Sequence, residues 1–140
     1  MTVEAIHLGA ARARELWPVE EVTAVAGKGL EGDRHFHEDG ASPGQALTLV
    51  EAEVVGDVGL APGETRRQLT VRGVSLNELV GMRFRVGEVE CYGVELCEPC
   101  SHLESMTRPG IIKELVHRAG INADIVSGGT IRVGDTVAEL

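Results

Sequence analysis

Eighteen glycines divide this 140-residue chain into short apolar runs, and that spacing leaves little room for long helices. Glycine supplies the positive φ of tight turns, so the pattern predicts a chain that reverses often and is built from short strands. Only 3% of the residues are aromatic and Trp17 stands alone. The core therefore has to come from Val, Leu, Ile and Ala. Hydrophobic residues at 43% and charged residues at 25% are the balance of a soluble globular chain, and this length predicts one domain, residues 1–140, with one real core.

Several function classes are disfavoured by the same numbers. A net charge of −9 and a pI near 5.0 argue against nucleic acid as a main partner, because phosphate binding needs a basic surface. No apolar run is long enough to span a bilayer, so no membrane association is expected. The start MTVEAIHLGA has no basic region followed by an apolar stretch, and the cytoplasm is the expected compartment. Three cysteines are an odd number, and free thiols are the better reading than a disulfide framework.

Strands are expected at Thr2–Leu8, Val22–Ala26, Ala46–Val50, Thr65–Val71, Met82–Val86 and Val89–Leu96, with a hairpin at Gly87-Glu88. The tail reads as strand-turn-strand from Ala123 onward. Helical signals are fewer. A short helix begins after Glu51, Ser75 and Glu78 have capping-box spacing, and Pro109–Ala119 has apolar residues at near-helical spacing with Gly120 to end it. Ser101–Arg108 reads as a poor helix. The longest stretch without periodicity, Glu31 to Gln45, is rich in charge and histidine, and long loops in compact domains are often functional. A mainly β domain with a few helices, closed into a barrel by hairpins, is the expected architecture.

Four local patterns bear on chemistry. Gly27, Gly29 and Gly32 match G-x-G-x-x-G, yet the chain continues DRHFHEDGASPG, which offers no helix to hold a pyrophosphate. The glycines are read as turn formers. His35 and His37, at i and i+2, suit either a metal ion or a solvated loop, and Arg34 and Lys28 nearby suit an anion. In ETRRQLTVR an extended chain sets Arg66 and Arg72 on one side and Arg67 on the other. Arginine forks recognise phosphate and carboxylate, and a salt-bridged sheet surface is the competing account. Cys97-Glu98-Pro99-Cys100 is C-x-x-C, with three readings: half of a zinc site completed by His102 and others, a redox pair, or one working thiolate beside a buried neighbour.

The ordered set Gly32-Asp33-Arg34-His35, ALTLVE, RRQLTVRGV, LVGMRFRVGEV, CEPC and SGGTIRVGD resembles the MOSC family. This is the domain found at the C-terminus of molybdenum cofactor sulfurases and as stand-alone bacterial proteins. The resemblance covers essentially the whole chain and implies a closed β-barrel similar to the pyruvate kinase barrel domain. It also implies an association with molybdenum cofactor (molybdopterin) and sulfur transfer, with pyridoxal phosphate binding as a family-level association. In amidoxime-reducing relatives the family-wide cysteine binds molybdenum and the enzyme reduces N-hydroxylated compounds. That cysteine matches Cys100, whereas relatives vary at the position of Cys97.

The same resemblance implies roles for particular residues. Cys100 is the expected metal ligand or sulfur-carrying nucleophile, and His35 or His102 would stabilise the thiolate or donate a proton. Asp33, Arg34, Arg66, Arg67 and Arg118 are the candidates for the pterin and its phosphate. Expected partners are the pterin cofactor or a small N-hydroxylated substrate, together with a cysteine desulfurase or an electron-transfer protein. Amidoxime-reducing relatives carry an extra N-terminal β-barrel portion, so a partner protein or homodimer is the candidate means of completing the site. The rival readings are a non-enzymatic sulfur or cofactor carrier serving a molybdoenzyme, and a structural zinc protein using Cys97, Cys100 and His102.

Overall fold

The computed structural model describes residues 1–11 and 15–140. Its strands are β1 (Thr2–Leu8), β2 (Trp17–Val19), β3 (Glu21–Val25), β4 (Gly29–Leu30), β5 (Leu47–Glu51), β6 (Leu69–Arg72), β7 (Arg83–Val86), β8 (Val89–Leu96), β9 (Ile121–Ser127), β10 (Gly129–Arg132) and β11 (Val137–Glu139). Three short helices, α1 (Ala52–Asp57), α2 (Ser101–Met106) and α3 (Ile111–Leu115), and a 3₁₀ turn at Leu76–Leu79 complete it. The mainly β expectation holds, and β1 and β8 have the expected limits.

A closed barrel is not what these strands make. Eight of them form one open sheet in the order β11-β7-β8-β9-β5-β6-β1-β2, and β10-β3-β4 form a second. The reason lies in β1, whose Ile6–Leu8 half is taken by β2. Its first residues meet the approach to β11 through an isolated bridge, Thr2 with Thr136, and three backbone bonds, from the Val3 amide to the Asp135 carbonyl, the Gly134 amide to Val3 and the Val137 amide to Met1, without forming a strand ladder. Among the described residues every strand pair is antiparallel except β5–β6, whose connection carries α1. Inward residues of both sheets, among them Ile6, Leu30, Leu49, Phe84, Ile121 and Ile131, form one core. Leu103, Ile111 and Leu115 anchor α2 and α3 on a smaller one with Val58 and Ala119.

The other departures have local causes. The Thr65–Val71 strand begins only at Leu69, because Arg66 takes φ 61°, in the left-handed region. The reading Pro109–Ala119 shrinks to five residues: Val116 turns extended and His117 is left-handed. Ser75 makes no side-chain cap; the Leu76 amide instead donates to Glu51 Oε2 at 3.2 Å. Ser101–Met106 is helical despite its sequence, since Leu103 is buried and the Thr107 hydroxyl donates to the Leu103 carbonyl at 2.8 Å. Gly27 and Gly32 sit in turns with φ of 70° and 83°, and Gly29, φ 131°, begins β4.

Gly120 sits at φ 103°, and a Cβ there would overlap the Leu49 carbonyl. It lets β9 start hard against β5. Gly120→Ala is expected to destabilise the chain by about 2 kcal/mol or more, measured by urea unfolding; an unchanged midpoint would refute the close-approach account.

Candidate functional site

A cleft of about 590 Å³ opens between the loop after β4, the Arg66–Gln68 segment leading into β6, and the Cys97–Leu103 segment joining β8 to α2. Cys100 lies on its wall at the position preceding α2, with φ −131° and ψ 171°. Its residue is exposed, whereas Cys97 is half-buried and Cys91 is buried in the core. Desolvation pushes the Cys91 thiol up to about 12 and raises Cys97, the latter partly offset by Arg67.

Cys97 and Cys100 are both free thiols, one half-buried and one exposed, so the redox-pair reading gains no support over a single working thiolate. The zinc reading gains no support either: among the described residues no group of three or more His, Cys, Asp or Glu side chains is placed to hold a metal ion.

Beneath the cleft lies the buried carboxylate of Asp33. Its Oδ1 accepts from the Gly9 amide at 2.9 Å and Arg34 Nη1 at 3.3 Å; its Oδ2 accepts from the His35 amide at 3.1 Å and Gln68 Nε2 at 2.7 Å. With four acceptor positions filled, Asp33 shapes the loop rather than contacting a ligand. Gln68 passes the connection on, its Oε1 accepting from the Thr48 amide at 2.8 Å.

The arginines divide. Arg34 and Arg66 line the cleft, linked by a bond from Arg34 Nη2 to the Arg66 carbonyl at 3.4 Å. Arg67 also lines it, but its fork is committed to backbone. Nε donates to the Ala119 carbonyl at 2.9 Å, Nη1 to Thr65 at 3.2 Å and Nη2 to Cys97 at 2.8 Å. Arg72 points away and pairs with Glu4 on the surface. Arg118 is not brought to the cleft at all: it bonds the Glu114 carbonyl and the Asp57 carboxylate, both at 2.7 Å.

His35, His37 and His102 all face the cleft. Desolvation, then the charge of Arg34, lowers the His35 pKa from 6.5, with Asp33 opposing. Held neutral at pH 7, His35 is suited to take a proton. Burial and the Arg34 charge likewise lower Arg66. Sequence reasoning missed Gln45, Thr48, Gln68 and Asn122, polar residues of the cleft wall. They carry no charge, and although Thr48 and Gln68 lie within the ALTLVE and RRQLTVRGV runs, it is the fold that brings them together: β5 meets β9 with Thr48 opposite Asn122, and Gln68 bonds the Thr48 amide.

Comparison with known proteins gives a family-model match to the MOSC domain over residues 4–138. No curated protein matches the sequence. Among solved structures, the YUAD protein from Bacillus subtilis superposes with a TM-score of 0.80 at 16% identity, covering 97% of this chain and 93% of that one. YiiM from Geobacillus stearothermophilus gives 0.75 at 16%, covering 99% and 74%, and YiiM from Escherichia coli 0.69 at 17%, covering 100% and 70%. At such identities these likenesses speak for the fold alone.

Arg67→Met would leave three carbonyls without their donor, and is expected to cost about 3 kcal/mol or more. Arg118→Met, losing a surface ion pair and one exposed bond to the Glu114 carbonyl, is expected to cost under about 1 kcal/mol; equal losses in urea unfolding would refute the division. His35 and His7 both have pKa values lowered from 6.5, His7 by burial. The unfolded chain then binds more protons just beneath 6.5, so stability should fall as pH drops through that window. NMR titration of the two rings checks this, and midpoints at or above 6.5 would overturn it.

Proposed function

The chain belongs to the MOSC domain family, and from that premise we propose that the cleft binds molybdenum cofactor, with Cys100 as the protein's ligand to the metal. The observation that carries the reading is the exposure of Cys100 on the wall of a cation-lined cleft in a chain of net charge −9. A thiolate is a soft ligand of the kind a molybdenum centre takes. Arg34 and Arg66 suit the pterin's phosphate, and the amide side chains of Gln45 and Asn122 suit a heterocycle with donor and acceptor edges. The residues present thus fit the group.

When bound, the cofactor supplies a metal able to take up or release electron pairs at a substrate oxygen. The chain's own part is to hold that metal through Cys100, to bind the anionic arm through Arg34 and Arg66, and to offer neutral His35 as a proton acceptor and nearby His102 as the candidate proton donor. A small N-hydroxylated compound is the proposed substrate class, with electrons from a partner protein. Arg67 and Asp33 support these residues without touching the ligand.

The exposure of Cys100 also favours a second reading, in which the thiolate carries sulfane sulfur as a persulfide, received from a cysteine desulfurase and passed to a partner.

Protein from cells that synthesise the cofactor should carry molybdenum and pterin. Cys100→Ala should lose both and Cys97→Ala should retain them, as read by elemental analysis and pterin fluorescence. Equal retention by the two variants would count decisively against the ligand assignment. Incubation with a cysteine desulfurase should add about 32 Da at Cys100 if the carrier reading holds, and an unmodified Cys100 peptide would reject it.

A further inference from the structure

We infer that His117, in the loop after α3, is a positioning residue that holds the Glu98 carboxylate out of the thiol cleft and so keeps the space around Cys100 selective for anions. This role presupposes the anionic ligand proposed above. Among the described residues the cleft is lined by three arginines and three histidines, and by no Asp or Glu. The chain as a whole has 22 acidic residues against 13 lysines and arginines, so the lining reverses the balance of the rest of the molecule.

Carboxylates are nevertheless close at hand. Asp33 is committed to its four donors beneath the cleft. Glu98 stands between Cys97 and Cys100, both of which line the cleft, yet does not line it itself. Its charge is felt there all the same: burial raises the Cys97 thiol, and the charges of Glu95 and Glu98 add to that. A free Glu98 side chain, two residues from Cys100, would bring a negative charge to the mouth of a cationic space.

His117 prevents this by taking both carboxylate oxygens from outside the cleft. Its amide donates to Glu98 Oε1 at 2.7 Å, and its Nδ1 lies 2.6 Å from Oε2. The geometry needs a left-handed backbone, φ 63° at His117, which is uncommon for a residue with a side chain. Asn77 Nδ2 steadies it by donating to the His117 carbonyl at 2.8 Å. The two side chains are 74% and 42% exposed, so burial does not account for the arrangement. Glycine would meet the turn with less strain and would keep the amide bond. What histidine adds is the second contact with the carboxylate.

The test is the ratio of alkylation rates at Cys100 by iodoacetate and iodoacetamide, on protein made without molybdate, with the modified residue identified by peptide mass spectrometry. Both reagents consume the same thiolate, so its ionisation and its exposure cancel and the ratio reads local charge. At low ionic strength the wild-type ratio should exceed that of the neutral thiol N-acetylcysteinamide. It should fall about threefold in His117→Gly as the freed carboxylate approaches, and return when Glu98→Gln is added, whereas Glu98→Gln alone should change it little. Glycine is at ease at this φ, and His117→Ala repeats the cycle if the glycine variant does not fold. A ratio unmoved by His117→Gly, or an equal effect of Glu98→Gln with and without His117, overturns the positioning role, since independent charges add. Either result on a raised wild-type ratio overturns this role alone; a wild-type ratio no higher than the reference thiol's overturns the anionic ligand with it.

Discussion

Two donors converge on each oxygen of the Asp33 carboxylate, and the cleft face of the molecule hangs from that convergence. The Gly9 amide brings the end of β1, Gln68 brings the segment entering β6, and Arg34 with the His35 amide brings the long loop back over the sheet. A buried carboxylate short of donors would be costly. Here the loop residues supply the donors only by folding into the one conformation that lines the cleft. The loop's shape and the cleft's shape are thus the same fact.

Arg67 does for the cysteine side what Asp33 does for the loop side. Its three bonds to carbonyls of Thr65, Cys97 and Ala119 join the approach to β6, the end of β8 and the approach to β9. A second fastening holds Glu98, whose carboxylate accepts from the His117 amide at 2.7 Å and lies 2.6 Å from His117 Nδ1. Cys100 begins where these fastenings stop, which leaves its thiol at the surface while Cys97 is held by both neighbours. Two oppositely charged buried side chains, Asp33 and Arg67, therefore frame one exposed thiol.

Much of this was legible in the chain. Glycine spacing and β-branched runs located most of the strands, because a strand's period is set by its own residues and a turn by one or two glycines. Segments whose conformation is dictated by distant partners were not legible. Ser101–Met106 becomes a helix because Leu103 reaches a small core with Ile111 and Leu115. Arg66 and Arg67 leave strand alternation because a left-handed residue turns the chain there. In the open sheet β2, three residues containing a proline, takes the Ile6–Leu8 edge of β1, and the start of β1 meets residues 134–137 through a few backbone bonds rather than a ladder.

By itself the sequence determined a glycine-punctuated β domain of the MOSC family, with Cys100 as its distinctive thiol, because order and spacing of motifs are one-dimensional properties. Only the tertiary structure decided which polar residues share space with that thiol. It turned Arg67 and Asp33 into scaffold, removed Arg118 to a surface ion pair, drew in Gln45 and Asn122, and set His117 against the Glu98 carboxylate. Those outcomes depend on where distant backbone donors and acceptors end up, since a buried charge goes to the partners that can satisfy it, and no local pattern encodes their positions.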